Sequence, residues 1–308
     1  MKKNFLSGSC LQTTEINIVL GVMKRRGFIK NTFRWGGGLG LLVGLYSWQI
    51  EPFWLKYVHL KMPLKNLPDA LVGKTLMQIS DIHIGNSFDY QYIIDSFQEA
   101  QKMNPDFVVY TGDYVTYENN EQIDQLNEVL QYVVKGTLGT IGILGNHDYG
   151  IDFVEEPVAK TITESLRAVG VTMLRNDAIE IDGLNFLGMD DFWGSNFYPL
   201  KATTKYRPDM ANITLCHNPD VCDLPVWNNF KGWILSGHTH GGQVKPPFLP
   251  APLLPVKNKN YDAGIKKLGK GKTLYINSAI GCLRQVRLNV RPEITVLSLQ
   301  KKFRVSCS

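Results

Sequence analysis

The stretch Ile141-Gly142-Ile143-Leu144-Gly145-Asn146-His147-Asp148 decides how the rest of the chain is read. A short apolar run predicts a buried strand, and a glycine then releases the chain into three polar side chains. Taken singly, these residues have ordinary structural roles; Asn146, for one, favours a turn. The same pattern recurs outward from it. Thr75–Ser80 runs into Asp81-Ile82-His83, and Phe107–Tyr110 runs into Gly112-Asp113. Ile213–Leu215 leads to His217, and Trp233–Leu235 to Gly237-His238-Thr239-His240. Of the 6 histidines, only His59 lies outside these segments. Side chains just past the carboxyl ends of strands converge on one rim of an open α/β sheet. Gly112, Gly145 and Gly237 permit sharp turns and close backbone approach there. Carboxylate, amide and imidazole donors together suit a borderline divalent ion such as Zn, Mn or Fe. A cysteine-rich structural zinc site is excluded, because Cys216 alone adjoins a segment.

Five such blocks in this order resemble the calcineurin-like metallophosphoesterases, whose motifs are Asp-x-His, Gly-Asp, Gly-Asn-His-Asp/Glu, His and Gly-His-x-His. The resemblance spans residues 81 to 240 and implies a four-layer α/β/β/α sandwich. It implies two divalent metals, with Asp81, His83 and His240 on the first, Asn146, His217 and His238 on the second, and Asp113 bridging. His147 would protonate or electrostatically assist the leaving group, and Asp148 would orient the His147 imidazole. A hydroxide bridging the two metals would attack phosphorus in line. Narrower features resemble the exported YaeI/YkuE-type phosphodiesterases: His217-Asn218-Pro219-Asp220, the block 237–243, and Val286-Arg287-Leu288-Asn289-Val290-Arg291-Pro292-Glu293. Asp190, Asp191 and Trp193 match a patch of that subgroup that would lie near the metals, although packing is the usual role of such a tryptophan.

The front of the chain has an export-signal layout. Arg25-Arg26-x-Phe28-Ile29-Lys30 resembles a twin-arginine signal and precedes an uncharged run from Trp35 to Ile50. That run makes a helix of about 24 Å, short against a hydrocarbon core of about 30 Å. Trp48, Phe53, Trp54 and Tyr57 follow it as an interfacial belt would; the alternative is that residues 48–60 pack on the catalytic domain. The expected organisation is therefore a signal or anchor in residues 1–60 and one α/β domain in residues 61–308. The expected location is the outer face of the cytoplasmic membrane, reached through twin-arginine export, with the cytoplasmic face as the alternative.

A net charge of +5 suits anionic lipid or phosphate-bearing substrates but not nucleic acid, since no basic stripe is interleaved with aromatics. The 5 cysteines are scattered and form no disulfide framework. Helices are predicted over 90–103, 121–134 and 159–169. Strands are predicted over 171–174, 178–182, 185–189, 212–216, 232–236, 273–277 and 293–299, with Asp182-Gly183 as a hairpin turn. Lys245, Lys257 and Lys259 on the Pro-rich loop 245–260, and Arg284, Arg287 and Arg291 beyond it, are candidates for phosphate or membrane contact. The leading expectation is a two-metal phosphodiesterase at the membrane, acting on a phosphoester that is lipid-linked or free. The alternatives are a lipid-linked nucleotide pyrophosphatase of the UDP-diacylglucosamine type and a non-catalytic cell-surface binding protein.

Overall fold

The computed structural model describes residues 25–85 and 87–302, with side chains described from residue 37. The twin-arginine side chains therefore lie outside the described residues. Contacts divide the chain into two units, Met1–Gly44 and Leu45–Ser308. The described residues of the first belong to the helix α1 (Arg25–Gln49), which continues past Gly44 and whose Leu39, Leu41 and Leu42 are exposed. Among the described residues, no helix is long and apolar enough to cross a membrane.

The first strand of the second unit is β1 (Lys56–Leu64), which straddles the boundary expected at residue 60. Three strand–helix repeats follow: β2 (Thr75–Ile79), α2 (Tyr90–Gln101), β3 (Phe107–Tyr110), α3 (Glu121–Leu130), β4 (Gly139–Gly142) and α4 (Glu156–Ala168). Then come β5 (Thr172–Met173), the hairpin β6 (Asp177–Ile181) and β7 (Leu184–Gly188), α5 (Pro199–Thr203), β8 (Ala211–Leu215) and β9 (Gly232–Ser236). The chain ends with β10 (Gly264–Gly269), β11 (Lys272–Ile276) and β12 (Glu293–Lys301). At the hairpin, Asp182 and Gly183 have φ of 50° and 84°, the doubly positive turn predicted from the sequence.

The strands form two six-stranded sheets, ordered β1-β12-β2-β3-β4-β5 and β10-β11-β9-β8-β7-β6. In the first, β2 to β5 run parallel; in the second, β11, β9, β8 and β7 do. Strand alternation sorts the core into layers. Leu76, Phe107, Val109 and Ile141 face Phe186, Ile213, Leu215 and Leu235 between the sheets. Met77, Val108 and Tyr110 turn the other way onto Phe97, Leu126 and Ile162 of α2, α3 and α4. Behind the second sheet, Leu187, Ile234 and Ile276 meet Ala202 of α5, Val221, Trp227 and Tyr261. The fold is mixed α/β with two facing sheets. The outermost layer expected to be helical contains α5, short 3-10 turns and loops.

β1 and β10 were not anticipated. Both are edge strands, where a proline such as Pro63 and alternating exposure are tolerated, so neither reads as an apolar run. Phe53, expected in a belt, stacks on Phe88 at 5.4 Å and packs with Tyr57 against the helical face of the first sheet. Trp48 and Trp54 remain exposed. Cys216, Cys222 and Cys282 are buried and unpaired.

Candidate metal centre

All five motif segments follow the carboxyl ends of β2, β3, β4, β8 and β9, so both sheets feed one rim. There the turns are unusually tight. Asp81, His83, Asp113, His238 and His240 all have φ between 48° and 70°, a left-handed region that non-glycine residues enter at a cost of about 1–3 kcal/mol. Glycine makes room for them. A Cβ on Gly237 would stand 2.1 Å from Asp81 Oδ2, and one on Gly145 would stand 2.2 Å from Asp113 Oδ1. Gly112 supplies a turn with φ of 94°.

Three groups of side chains could each hold a cation: Asp81, His83 and His240; Asp113, His217 and His238; and His83, Asp113 and His147. Asp113 sits between the first two, its Oδ2 lying 3.5 Å from His83 Nε2 and 3.1 Å from His217 Nε2. The ring tautomers are prepared from outside. His217 Nδ1 donates to Thr111 O at 2.7 Å, leaving Nε2 facing inward without a hydrogen bond of proper geometry. His238 Nε2 donates to Pro255 O at 2.9 Å, which leaves Nδ1 as its lone-pair nitrogen. His83 Nδ1 pairs with Thr116 Oγ1 at 3.0 Å.

The donors fit divalent cations. His83 Nε2 and His240 Nε2 lie 2.9 Å apart. Two nitrogens each about 2.1 Å from one ion and at a right angle would be about 3.0 Å apart. Asn146 Oδ1 and the inward-facing His217 Nε2 are buried without hydrogen-bond partners. The charges point the same way. Burial opposes ionisation of Asp81, but His240 and His217 outweigh it and bring its pKa down to about 2. Burial likewise opposes a charge on His217, but Asp113, Asp81 and Asp191 raise its pKa well above the usual value. Burial, reinforced by His217, holds His238 down to about 3. Buried carboxylates and imidazoles left to share protons are what a bound cation resolves.

His147 alone among the expected site residues is only partly buried. Its backbone N–H donates to Asp113 Oδ1 at 2.9 Å, and its ring lies edge-on to His83 at 5.0 Å. Burial lowers its pKa from the ordinary histidine value, with His217 and His240 adding to the effect. Asp148 does not orient it as expected. Asp148 Oδ2 accepts from Asp113 N at 2.9 Å and Gly145 N at 2.8 Å, and Oδ1 accepts from Tyr114 N at 2.7 Å and Val115 N at 3.3 Å. The carboxylate is spent tying two motif loops together. Burial and the Asp113 carboxylate raise its pKa, against the pull of the Gly145 and Tyr114 amides; cations held beside Asp113 would offset that rise and keep the group a carboxylate.

Most of the basic candidates are also structurally committed. Arg287 is fully buried and donates to the carbonyls of Ser278, Ala279, Gly281 and Val290. It thus braces the segment whose Ile280 and Gly281 amides donate to Ser80 O and Asp81 O. Arg291 donates to Trp54 O and Leu55 O. Lys245 pairs with Asp262 at 3.2 Å, and Lys259 bonds to Leu254 O and Val256 O. Arg284 and Lys257 remain exposed. Asp190 is held by Arg175, Asn176 and Asn196, a packing role, whereas Trp193 does reach the centre, 4.6 Å from the His238 ring. The supporting hydroxyls were missed. Thr111 Oγ1 donates to Ser80 Oγ at 2.6 Å, and Ser80 Oγ donates to Asp81. Their adjacency to ligand blocks was the available signal.

A motif-bearing rim between two sheets, lined with metal donors, defines a class of metal-dependent phosphoester hydrolases. Residues 74–242 match the Calcineurin-like phosphoesterase family, and the chain belongs to it. It is similar to phosphodiesterase YaeI of Escherichia coli strain K12, at 28% identity over 82% of this chain and 92% of that protein. It is also similar to the metallophosphoesterase YkuE of Bacillus subtilis strain 168, at 29% identity over 90% of this chain and 98% of that one. A third relative is the UDP-2,3-diacylglucosamine pyrophosphatase LpxG of Chlamydia muridarum, at 25% identity over 83% and 93%.

Proposed function

We propose that this chain is a two-metal phosphodiesterase working at a membrane surface. The observation that carries the reading is Asp113, a single buried carboxylate placed between two histidine-containing groups. Asp81, His83 and His240 would hold one cation, and Asn146, His217 and His238 the other, with Asp113 shared. When bound, the pair would lower the pKa of a water between them and offset charge on the phosphoryl oxygens. The residues do the rest. Thr111 O and Pro255 O hold His217 and His238 in the tautomers that present a lone pair inward. Asp148 fixes the spacing of the Asp113 and Asn146 loops. His147, intermediate in burial and tied to Asp113 through its backbone, would assist the departing oxygen by hydrogen bonding and proton transfer, the cations' pull on the substrate offsetting its lowered pKa.

The membrane reading rests on two features. One is the twin-arginine-like front, with export to the outer face. The other is the Pro-rich loop after the site, where Phe248 is fully exposed and Leu253 is 80% exposed. Apolar side chains on a proline-stiffened loop suit a bilayer interface, with Lys257 alongside for anionic lipid. The similarity to LpxG favours a second reading, cleavage of a lipid-linked nucleotide pyrophosphate. Purified protein loaded with Mn, Zn or Fe should hydrolyse bis-p-nitrophenyl phosphate and lose that activity in chelator. Turnover of a lipid-linked nucleotide pyrophosphate alone would select the second reading, and turnover of neither would refute both.

A further inference from the structure

A continuous aromatic wall runs along one side of the metal centre. The Phe153 ring lies 5.0 Å from His147, Trp193 stacks on Phe153 at 6.1 Å and 26°, and Trp193 stands edge-on to His238 at 4.6 Å. Neither Phe153 nor Trp193 belongs to a hydrophobic core, and Trp193 is 40% exposed. Both are nonetheless held firmly.

Phe153 has a φ of 62°, a strained backbone for a bulky aromatic residue. The loop around it is pinned by Glu155, whose backbone N–H donates to Tyr149 O at 2.7 Å and whose side chain accepts from Ile151 N at 3.0 Å. Gly150 leaves space for that carboxylate, since a Cβ there would meet Glu155 Oε1 at 2.3 Å. Trp193 is mounted on the buried Asp191, which accepts from Trp193 N through Oδ1 at 2.8 Å and from Gly194 N through its carbonyl at 3.1 Å. Gly194 lets this turn lie flat on the Tyr149 ring, which a Cβ would approach to 2.8 Å. Strain and exposure held in this way, with no core contact to repay them, mark a surface kept for a ligand.

We infer that Phe153 and Trp193 form a shelf that binds a planar aromatic ring carried by the leaving group of the phosphoester. The side is set by His147. The group that protonates the departing oxygen abuts Phe153, so the leaving group extends along the wall. Aryl esters and nucleotides both carry such a ring. This inference rests on the phosphoesterase reading for His147, but its test does not require turnover.

The test is calorimetric binding of phenylphosphonate and cyclohexylphosphonate to the full-length, metal-loaded protein. The two share the phosphonate and differ in ring flatness. Phenylphosphonate should bind roughly 5- to 150-fold more tightly, the range of ring stacking on aromatic side chains. Trp193→Leu should erase most of that preference, and Trp193→Tyr should restore part of it. Phe153→Gly should also weaken phenylphosphonate binding while leaving thermal stability equal or higher, because glycine accepts the left-handed backbone without strain. Equal affinity for the two phosphonates, or a preference unchanged in Trp193→Leu, would overturn the shelf. Loss of phosphonate binding altogether in the parent protein would instead count against the phosphoesterase reading.

Discussion

Replacing Asp148 by Asn distinguishes a carboxylate that tunes His147 from one that builds the site. In the structure its two oxygens accept four backbone N–H groups, from Asp113, Tyr114, Val115 and Gly145. Asparagine keeps one oxygen. Its amide nitrogen must then face two of those donors, whichever way the group is turned. Each buried donor left without an acceptor costs about 1–3 kcal/mol, so the substitution should cost about 2–6 kcal/mol. At roughly 2–4 °C per kcal/mol for a domain of this size, melting should fall by at least about 4 °C. The assay is thermal unfolding of parent and Asp148→Asn in chelator, so that metal loss does not contribute. Turnover should fall as a consequence, since the Asp113 and Asn146 loops lose their tie. An unchanged melting temperature with a collapsed turnover number would refute this and restore the orienting role expected from the sequence.

His147→Ala should leave metal content and melting nearly unchanged while turnover falls by roughly 10²–10⁴-fold, with a smaller loss for substrates with good leaving groups. An equal loss across leaving groups would indicate phosphate positioning instead. Asp113→Asn should lower metal content and turnover together, which elemental analysis beside the diesterase assay would detect. Burial opposes ionisation of Asp262, but Lys266, the Ala263 amide and Lys245 hold its pKa down to about 2. Because that lies below the unfolded value of about 3.9, the ionised group stabilises the fold above about pH 4 and ceases to do so as pH falls towards 2. The urea midpoint of Asp262→Asn should therefore lie below the parent's at pH 7, and the gap should close across that window. Changing Arg25 and Arg26 to Lys should block export if a receptor reads the guanidinium pair; unchanged protease accessibility of the catalytic domain would count against it.

By itself the sequence determined the strand-then-ligand rhythm of the site. Each ligand block directly follows its own apolar run, and the chemistry of donors such as Asp81, His83 and His217 is local to those residues. The β6–β7 turn was equally legible, because Asp182-Gly183 suits the doubly positive backbone that it adopts. Helices α2 and α3 began at the residues expected from apolar periodicity. Tertiary structure decided what depends on partners distant in the chain. The carboxyl-terminal strand β12 inserts between β1 and β2, parallel to one and antiparallel to the other. Arg287, which suggested phosphate binding, became a buried brace because the carbonyls of residues 278–281 surround it. Asp148 went to the backbone of residues 113–115 rather than to its neighbour His147. A side chain's type limits which bonds it can make, but the groups within reach after folding decide which bonds it does make. For Asp148 those groups lie more than thirty residues away, and for Arg287 they lie within ten residues but surround it only once that loop has folded back, so neither leaves a trace in local pattern.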